Sequence, residues 1–259
     1  MLKLYRHYLS IQLKGMMQYK ASFFLTVIGQ FLTSFGLFLT IYFVFARFQE
    51  VEGFTFSEVL LTFSVMLMSF ALAEMLVRGF DTFGSMISYG AFDRIMVRPR
   101  NEIFQVLASK IELTRCGRVL QAIVTLVYAI PNSSVDWNAS KILTLILMIA
   151  GGTAVFSGLF IIYASLCFFT IEGLEFMNVF TDGAREHGKY PLSIYGKWVL
   201  RFCTCVIPYA LFQYYPLLYL LGRAEHDWYR FLPFAAMLFL IPSLLLWKLG
   251  LRHYQSAGS

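Results

Sequence analysis

The sequence predicts an all-α, multi-pass membrane protein, and three observations carry that prediction. Of its 259 residues 58% are hydrophobic and 14% are charged, with a mean hydropathy of +0.65. A soluble domain carries about a quarter charged residues, so this chain could not cover its own apolar side chains in water. Its charges also sit in clusters between long apolar runs, the pattern that a bilayer solvent imposes. The net charge of +6 forms no basic face, which excludes a nucleic-acid partner.

Met1–Lys20 reads as an amphipathic helix. Leu2, Tyr5, Leu9, Leu13 and Met16 recur at three-to-four spacing, with Lys3, Arg6, Ser10 and Lys14 opposite. Such a helix lies in the headgroup plane. It lacks the continuous apolar run of a cleavable signal.

A crossing needs about 20 apolar residues. Ala21–Ala46 is the first and Glu58–Val77 the second, the latter carrying Glu74. A helix starting near Ile103 and continuing through Arg118–Ile130 is the third, Ile142–Ser165 the fourth, and Phe231–Leu249 the last. Between them Leu166–Gly222 allows two layouts. In one, Phe168–Tyr190 crosses and is followed by a re-entrant hairpin; in the other, Ile171–Lys197 is a loop and Trp198–Leu221 crosses. Both give six crossings, as one transmembrane domain over 21–259 behind the helix of 1–20.

Lys and Arg set the orientation. Lys3, Arg6, Lys14, Lys20, Arg78, Arg94, Arg98, Arg100, Lys110, Arg115, Arg118, Lys248 and Arg252 fall on one side, against Arg47, Lys141, Arg223 and Arg230 on the other. Both termini are therefore expected in the cytoplasm. Cys116, Cys167, Cys203 and Cys205 have no metal or redox spacing. Two Asn-x-Ser sequons, at Asn132 and Asn138, fall on the expected outer side.

No phosphate-binding G-x-x-x-x-G-K-[ST] loop occurs, and no H-E-x-x-H or G-x-S-x-G motif. His7, His187, His226 and His253 are scattered. The chain has no enzyme signature and no cofactor site of its own.

The most informative stretch is the long connection after the second span. Phe80, Phe83 and Ile87 share one helical face, and Asp93, Arg94, Arg98, Pro99 and Asn101 follow. Pro99 interrupts the helix, and Asn101 is placed to cap the next one, expected to run to Ile130 as one rod. Exposed aromatics flanked by arginines suit a docking element; a surface helix resting on headgroups is the other reading. Glu74 and Arg78 are spaced for a local i, i+4 pair. Glu172, Glu175 and Arg201 are intramembrane polar candidates for a pathway, or pair with neighbours. Ala150, Ala154 and Gly158 repeat every four residues, which permits close helix packing.

The segment Ile87-Ser-Tyr-Gly-Ala-Phe-Asp-Arg-Ile-Met-Val-Arg-Pro-Arg-Asn101, followed by Phe104-Gln-Val-Leu107, resembles the permease subunit of a bacterial ABC exporter of the ABC-2 type. Tyr190-Pro-Leu-Ser-Ile-Tyr195, Ile207-Pro-Tyr-Ala210 and Tyr214-Tyr-Pro216 are similar to a late, proline-containing section of one branch. The family pattern has leucine where this chain has Phe92. The resemblance implies an amphipathic elbow helix before six spans, and a cytoplasmic coupling segment at 80–98 between spans two and three. It favours the first layout, with an extracellular re-entrant segment at about 194–221. It also implies a bacterial cytoplasmic membrane, a second permease copy or paralogue, and a separate ATPase that binds ATP and Mg. Phe83, Ile87, Tyr89, Asp93, Arg94 and Arg98 become the nominated contacts to that ATPase. An autonomous secondary transporter would need inverted repeats, and a lipid enzyme a polar cluster at one interface; the sequence displays neither.

Overall fold

The computed structural model describes residues 2–170 and 175–254. It is helical apart from a two-strand hairpin, β1 (Glu50–Val51) paired antiparallel with β2 (Phe54–Thr55). Helix α1 spans Leu2–Met17 and α2 Lys20–Arg47; α3 follows over Phe56–Asp81. Short α4 (Phe83–Ser88), α5 (Asp93–Met96) and α6 (Glu102–Ser109) make the long connection. Then come α7 (Cys116–Asn132) and α8 (Ala139–Thr170). Next are α9 (Asp182–His187), α10 (Lys197–Cys205), α11 (Tyr209–Phe212) and α12 (Tyr214–Leu220). Helices α13 (Leu232–Met237) and α14 (Leu240–His253) complete the described chain.

Five helical stretches among the described residues are long and apolar enough to cross a bilayer: Lys20–Arg47, Phe56–Ser88, Leu113–Asn132, Ala139–Thr170 and Asp227–His253. Helix α3 is the central post. It is apolar on every face, which marks a helix enclosed by others, and 83% of its apolar window is buried against 11% for α2. Its hydroxyls do not interrupt it, because Thr62 and Ser64 donate to the carbonyls of Glu58 and Leu60 one turn back. Helix α2 stands at the periphery and presents Phe24, Leu25, Ile28 and Phe43 outward.

At one end of α3 a fully buried Glu58 ties three segments together. Its Oε2 accepts from Thr55 N at 3.0 Å, completing a capping box. Its Oε1 accepts from Ser134 Oγ at 2.7 Å and from Arg223 Nη2 at 2.9 Å.

The crossing between α8 and α13 departs from both expected layouts. Among the described residues no continuous helix spans Phe168–Tyr190 or Trp198–Leu221; α8 runs to Thr170, and from Glu175 onward the chain proceeds in short pieces. These pieces start where Asp182 meets Arg78 and Asp81 in one polar pocket, and they end where Arg223 meets Glu58. They therefore traverse the full length of α3. Pro191, Gly196 (φ +88°) and Pro208 explain why no helix continues through them.

Interrupted backbone at membrane depth must find partners within the protein, and buried side chains supply them. Gln213, fully enclosed, donates its Nε2 to Gly188 O at 2.8 Å and to Tyr190 O at 3.1 Å. Tyr209 Oη donates to Phe180 O, and Tyr195 Oη donates to His187 O at 2.8 Å.

The small-residue face of α8 also differs from expectation. Ala150 is exposed and Ala154 half-buried, while Gly158 lies against Phe239 and Ser243 and Gly151 against Pro233. A seven-residue interval returns to the same face after two turns, so Gly151 and Gly158, seven apart, line the seam with the last span.

Replacing Gln213 by Leu strands two buried carbonyls and should cost about 1–3 kcal/mol. Thermal unfolding of the detergent-purified protein should register this as a lowered midpoint, with Tyr195→Phe giving a smaller drop.

Candidate functional site

The connection after α3 folds around its aromatic residues. Phe83, Phe92 and Ile87 point inward; Phe83 packs at 5.0 Å, ring to ring, against each of Phe92, Phe168 and Trp247. Phe80 adds a fifth ring, 5.2 Å from Trp247. This cage joins α4 to the end of α8 and to α14. It removes Phe83 and Ile87 from the surface where they were expected to meet a partner. The physical reason is simple: a short helix beside a membrane domain buries its apolar face on its own subunit first.

Asp93 is also turned to the subunit's own use. Its Oδ1 accepts from Tyr254 Oη at 2.8 Å, and the Tyr254 ring sits 5.1 Å from Phe92. Burial pushes the Tyr254 hydroxyl up to about 12, and the bond to Asp93 adds to the shift.

What remains outward is a compact surface. Tyr89 is 86% and Val97 84% exposed, with Met96, Arg94, Arg98 and Arg100 beside them. The backbone beneath is fixed by Gln105, whose Nε2 donates to Ile95 O at 3.2 Å and to Arg100 O at 3.1 Å. Asn101 caps α6 as expected, accepting from Phe104 N at 3.0 Å. A surface pocket of about 250 Å³ lies between Tyr89, Ser85 and Lys110.

The rod expected from Asn101 to Ile130 is broken. Helix α6 stops at Ser109, Lys110 is extended, and a 3-10 turn over Leu113–Arg115 precedes α7. Gln12 of α1 holds the break. Its Nε2 donates to Ala108 O at 2.9 Å and Ser109 O at 3.1 Å, while Ile111 N donates to its Oε1 at 2.6 Å. Tyr5 and Tyr8 of α1 meet Phe104 edge-on. No sequence signal marks Gln12, because its partners lie about a hundred positions away.

Beyond the break is a buried ion cluster. Glu74 pairs with Arg78 at 3.4 Å, as its spacing predicts, but it also binds Arg118 and lies 3.3 Å from Arg115. Arg78 in turn pairs with Asp81 and reaches Glu112 at 3.8 Å. The guanidinium groups of Arg118 and Arg185 lie 5.9 Å and 5.2 Å from the Phe70 ring centre, within cation–π range. Glu74 thus joins α3 to the start of α7.

Of the other intramembrane candidates, Glu175 lines a polar pocket of about 540 Å³ with Asp81, Asp182, Tyr163 and Arg78. Arg201 lies on an exposed face of α10, over the Trp198 ring at 5.5 Å, away from that pocket. Glu172 falls outside the described residues.

The five apolar helical stretches among the described residues define a multi-pass helical membrane protein. A family model described as ABC-2 family transporter protein matches residues 31–258, and the chain belongs to that family. Comparison with curated proteins and with solved structures gave no match. The chain is thus a membrane component of ABC-type transport.

Glu74→Leu leaves Arg118 and Arg115 without their buried counter-charge and should destabilise the fold by about 3–5 kcal/mol. The Glu74→Leu/Arg118→Leu double variant should recover part of that loss, measured as a coupling energy in thermal unfolding.

Proposed function

We propose that the chain is the membrane-spanning permease subunit of an ATP-driven exporter, coupled to a separate ATPase that carries ATP and Mg. One observation carries this reading: the surface of Tyr89, Val97, Arg94 and Arg98 projects from a base locked to the subunit's own core. An exposed aromatic among arginines on a rigid base suits a partner with an apolar pocket ringed by carboxylates. Membership of the ABC-2 family supports the same arrangement.

In this reading Tyr89, Arg94 and Arg98 touch the ATPase. Phe83, Ile87 and Asp93 act beneath them by holding the surface in place. Helix α1 is the elbow in the headgroup layer, and both termini are cytoplasmic, in a bacterial cytoplasmic membrane. The segment of about 194–221 is the outer half of the broken traverse, reaching the outer face near Arg223, rather than a hairpin that returns to the face it left. A second permease copy or paralogue completes the pathway, and Glu74 and the Glu175 pocket flank its cytoplasmic mouth.

The piecewise crossing is a feature that a secondary transporter would share, since such proteins place substrate sites at unwound helices. Transport into inverted vesicles separates the two readings. Uptake that stops on ATP depletion supports the ATPase-driven exporter, and uptake driven by an ion gradient alone supports the other.

Tyr89→Ala combined with Arg94→Glu should abolish co-purification with the partner ATPase of this proposal while leaving thermal stability unchanged. Phe83→Ala should lower stability by about 3–5 kcal/mol. Intact ATPase binding by the Tyr89/Arg94 double variant would remove the docking assignment.

A further inference from the structure

The short helices of the broken crossing enclose a chamber of about 280 Å³ against α3. Its walls include Met66, Phe180, Gly188, Phe202 and Tyr209. Met66 stands ten residues along α3 from Phe56, about 15 Å from that end at 1.5 Å per residue. The chamber therefore lies within the hydrocarbon layer.

Two properties distinguish it from a packing defect. Its walls are braced, because Gln213 and Tyr195 anchor the backbone of His187, Gly188 and Tyr190, and Tyr209 anchors that of Phe180. Any side chain at Gly188 would run into Met66, so glycine there keeps the wall in place. Its lining is also almost wholly apolar: the Tyr195 and Tyr209 hydroxyls donate to main-chain carbonyls instead of facing inward, which leaves the His187 ring and the Cys203 thiol as the polar side-chain groups on the wall. A guest with several charged or hydrogen-bonding groups would find too few partners there.

The opening is sideways. Val179, Val199 and Phe202 at the rim are 64%, 40% and 41% exposed, so the chamber is entered from the bilayer. Phe180 and Phe202 lie 6.4 Å apart with their planes only 28° from parallel. At that distance, within the ~4.5–7 Å of a direct aromatic pair, the two rings stack on each other, and together they present to the chamber an aromatic face on which a flat ring can stack. The volume sits at the lower edge of the ~300–1,000 Å³ typical of small-molecule pockets, the size of a two-ring group.

From this geometry we infer that the chamber binds the uncharged aromatic portion of a membrane-dissolved small molecule, received laterally from the bilayer. The inference goes beyond the proposed exporter role and needs neither ATP nor an ATPase, so its failure would leave that role standing.

The full-length chain in nanodiscs is photolabelled with tritiated phenyl-diazirine, with naphthalene as competitor, and the labelled peptides are mapped. The expected result is saturable labelling of the peptides holding Phe180 and Phe202, displaced by naphthalene. Met66→Trp, which fills the chamber, should weaken the saturable component at least about tenfold, or 1.4 kcal/mol. Phe202→Ala, at the exposed mouth where folding is not at stake, should also weaken it and decides the matter if Met66→Trp does not fold. Labelling that never saturates, or that is equal in folded variants and unaltered chain, overturns the proposal. Displacement by dodecane as effective as by naphthalene overturns it too, since the chamber would then hold acyl chains.

Discussion

A backbone amide or carbonyl that meets hydrocarbon without a partner costs several kcal/mol, and that cost shapes every irregular part of this protein. Long helices satisfy their own main chain, and five stretches take that course. The stretch between α8 and α13 cannot, because Pro191, Gly196 and Pro208 divide it. It survives because Gln213, Tyr209 and Tyr195 bring side-chain donors to the carbonyls left open. Gln12 does the same for the gap between α6 and α7. Four polar side chains thus stand in for missing helical bonds, and the positions of the short helices follow from them.

Charge is handled with similar economy. Glu58 at one end of α3 and Glu74 toward the other are both buried, and each is met by arginine from a different segment. Removing one partner from such a group costs far more than the pair contributes, so these contacts fix which segments may neighbour α3. The bilayer forbids α2 from being held in this way along its exposed face, and it stays peripheral, joined mainly to α7.

Much of the architecture was legible in the sequence because membrane solvation writes long, simple signals. The apolar runs located the five spans, and Asn101 announced a helix start. Local spacing also identified the Glu74–Arg78 contact. What escaped were relations between distant positions. Nothing near Gln12 indicates that it closes a gap at Ser109–Ile111, and nothing near Glu74 indicates Arg118. Periodicity located the face of Phe80, Phe83 and Ile87 correctly but could not tell whether that face meets a partner or Trp247. Likewise small residues every four positions suggested Ala150–Gly158, whereas the seam is set by Gly151 and Gly158, seven apart.

The gap between α6 and α7 has a mechanical meaning. A continuous rod from the docking surface into the third span would carry a push straight along its axis. Two helices joined at a pinned elbow form a lever instead, with Gln12 at the fulcrum and the Glu112 N–Met75 O bond of 3.2 Å on the far arm. Under the proposed coupling, force at Tyr89 or Arg98 would arrive at α7 as torque. Because the fulcrum belongs to α1, any displacement of that helix shifts the pivot and enters the leverage.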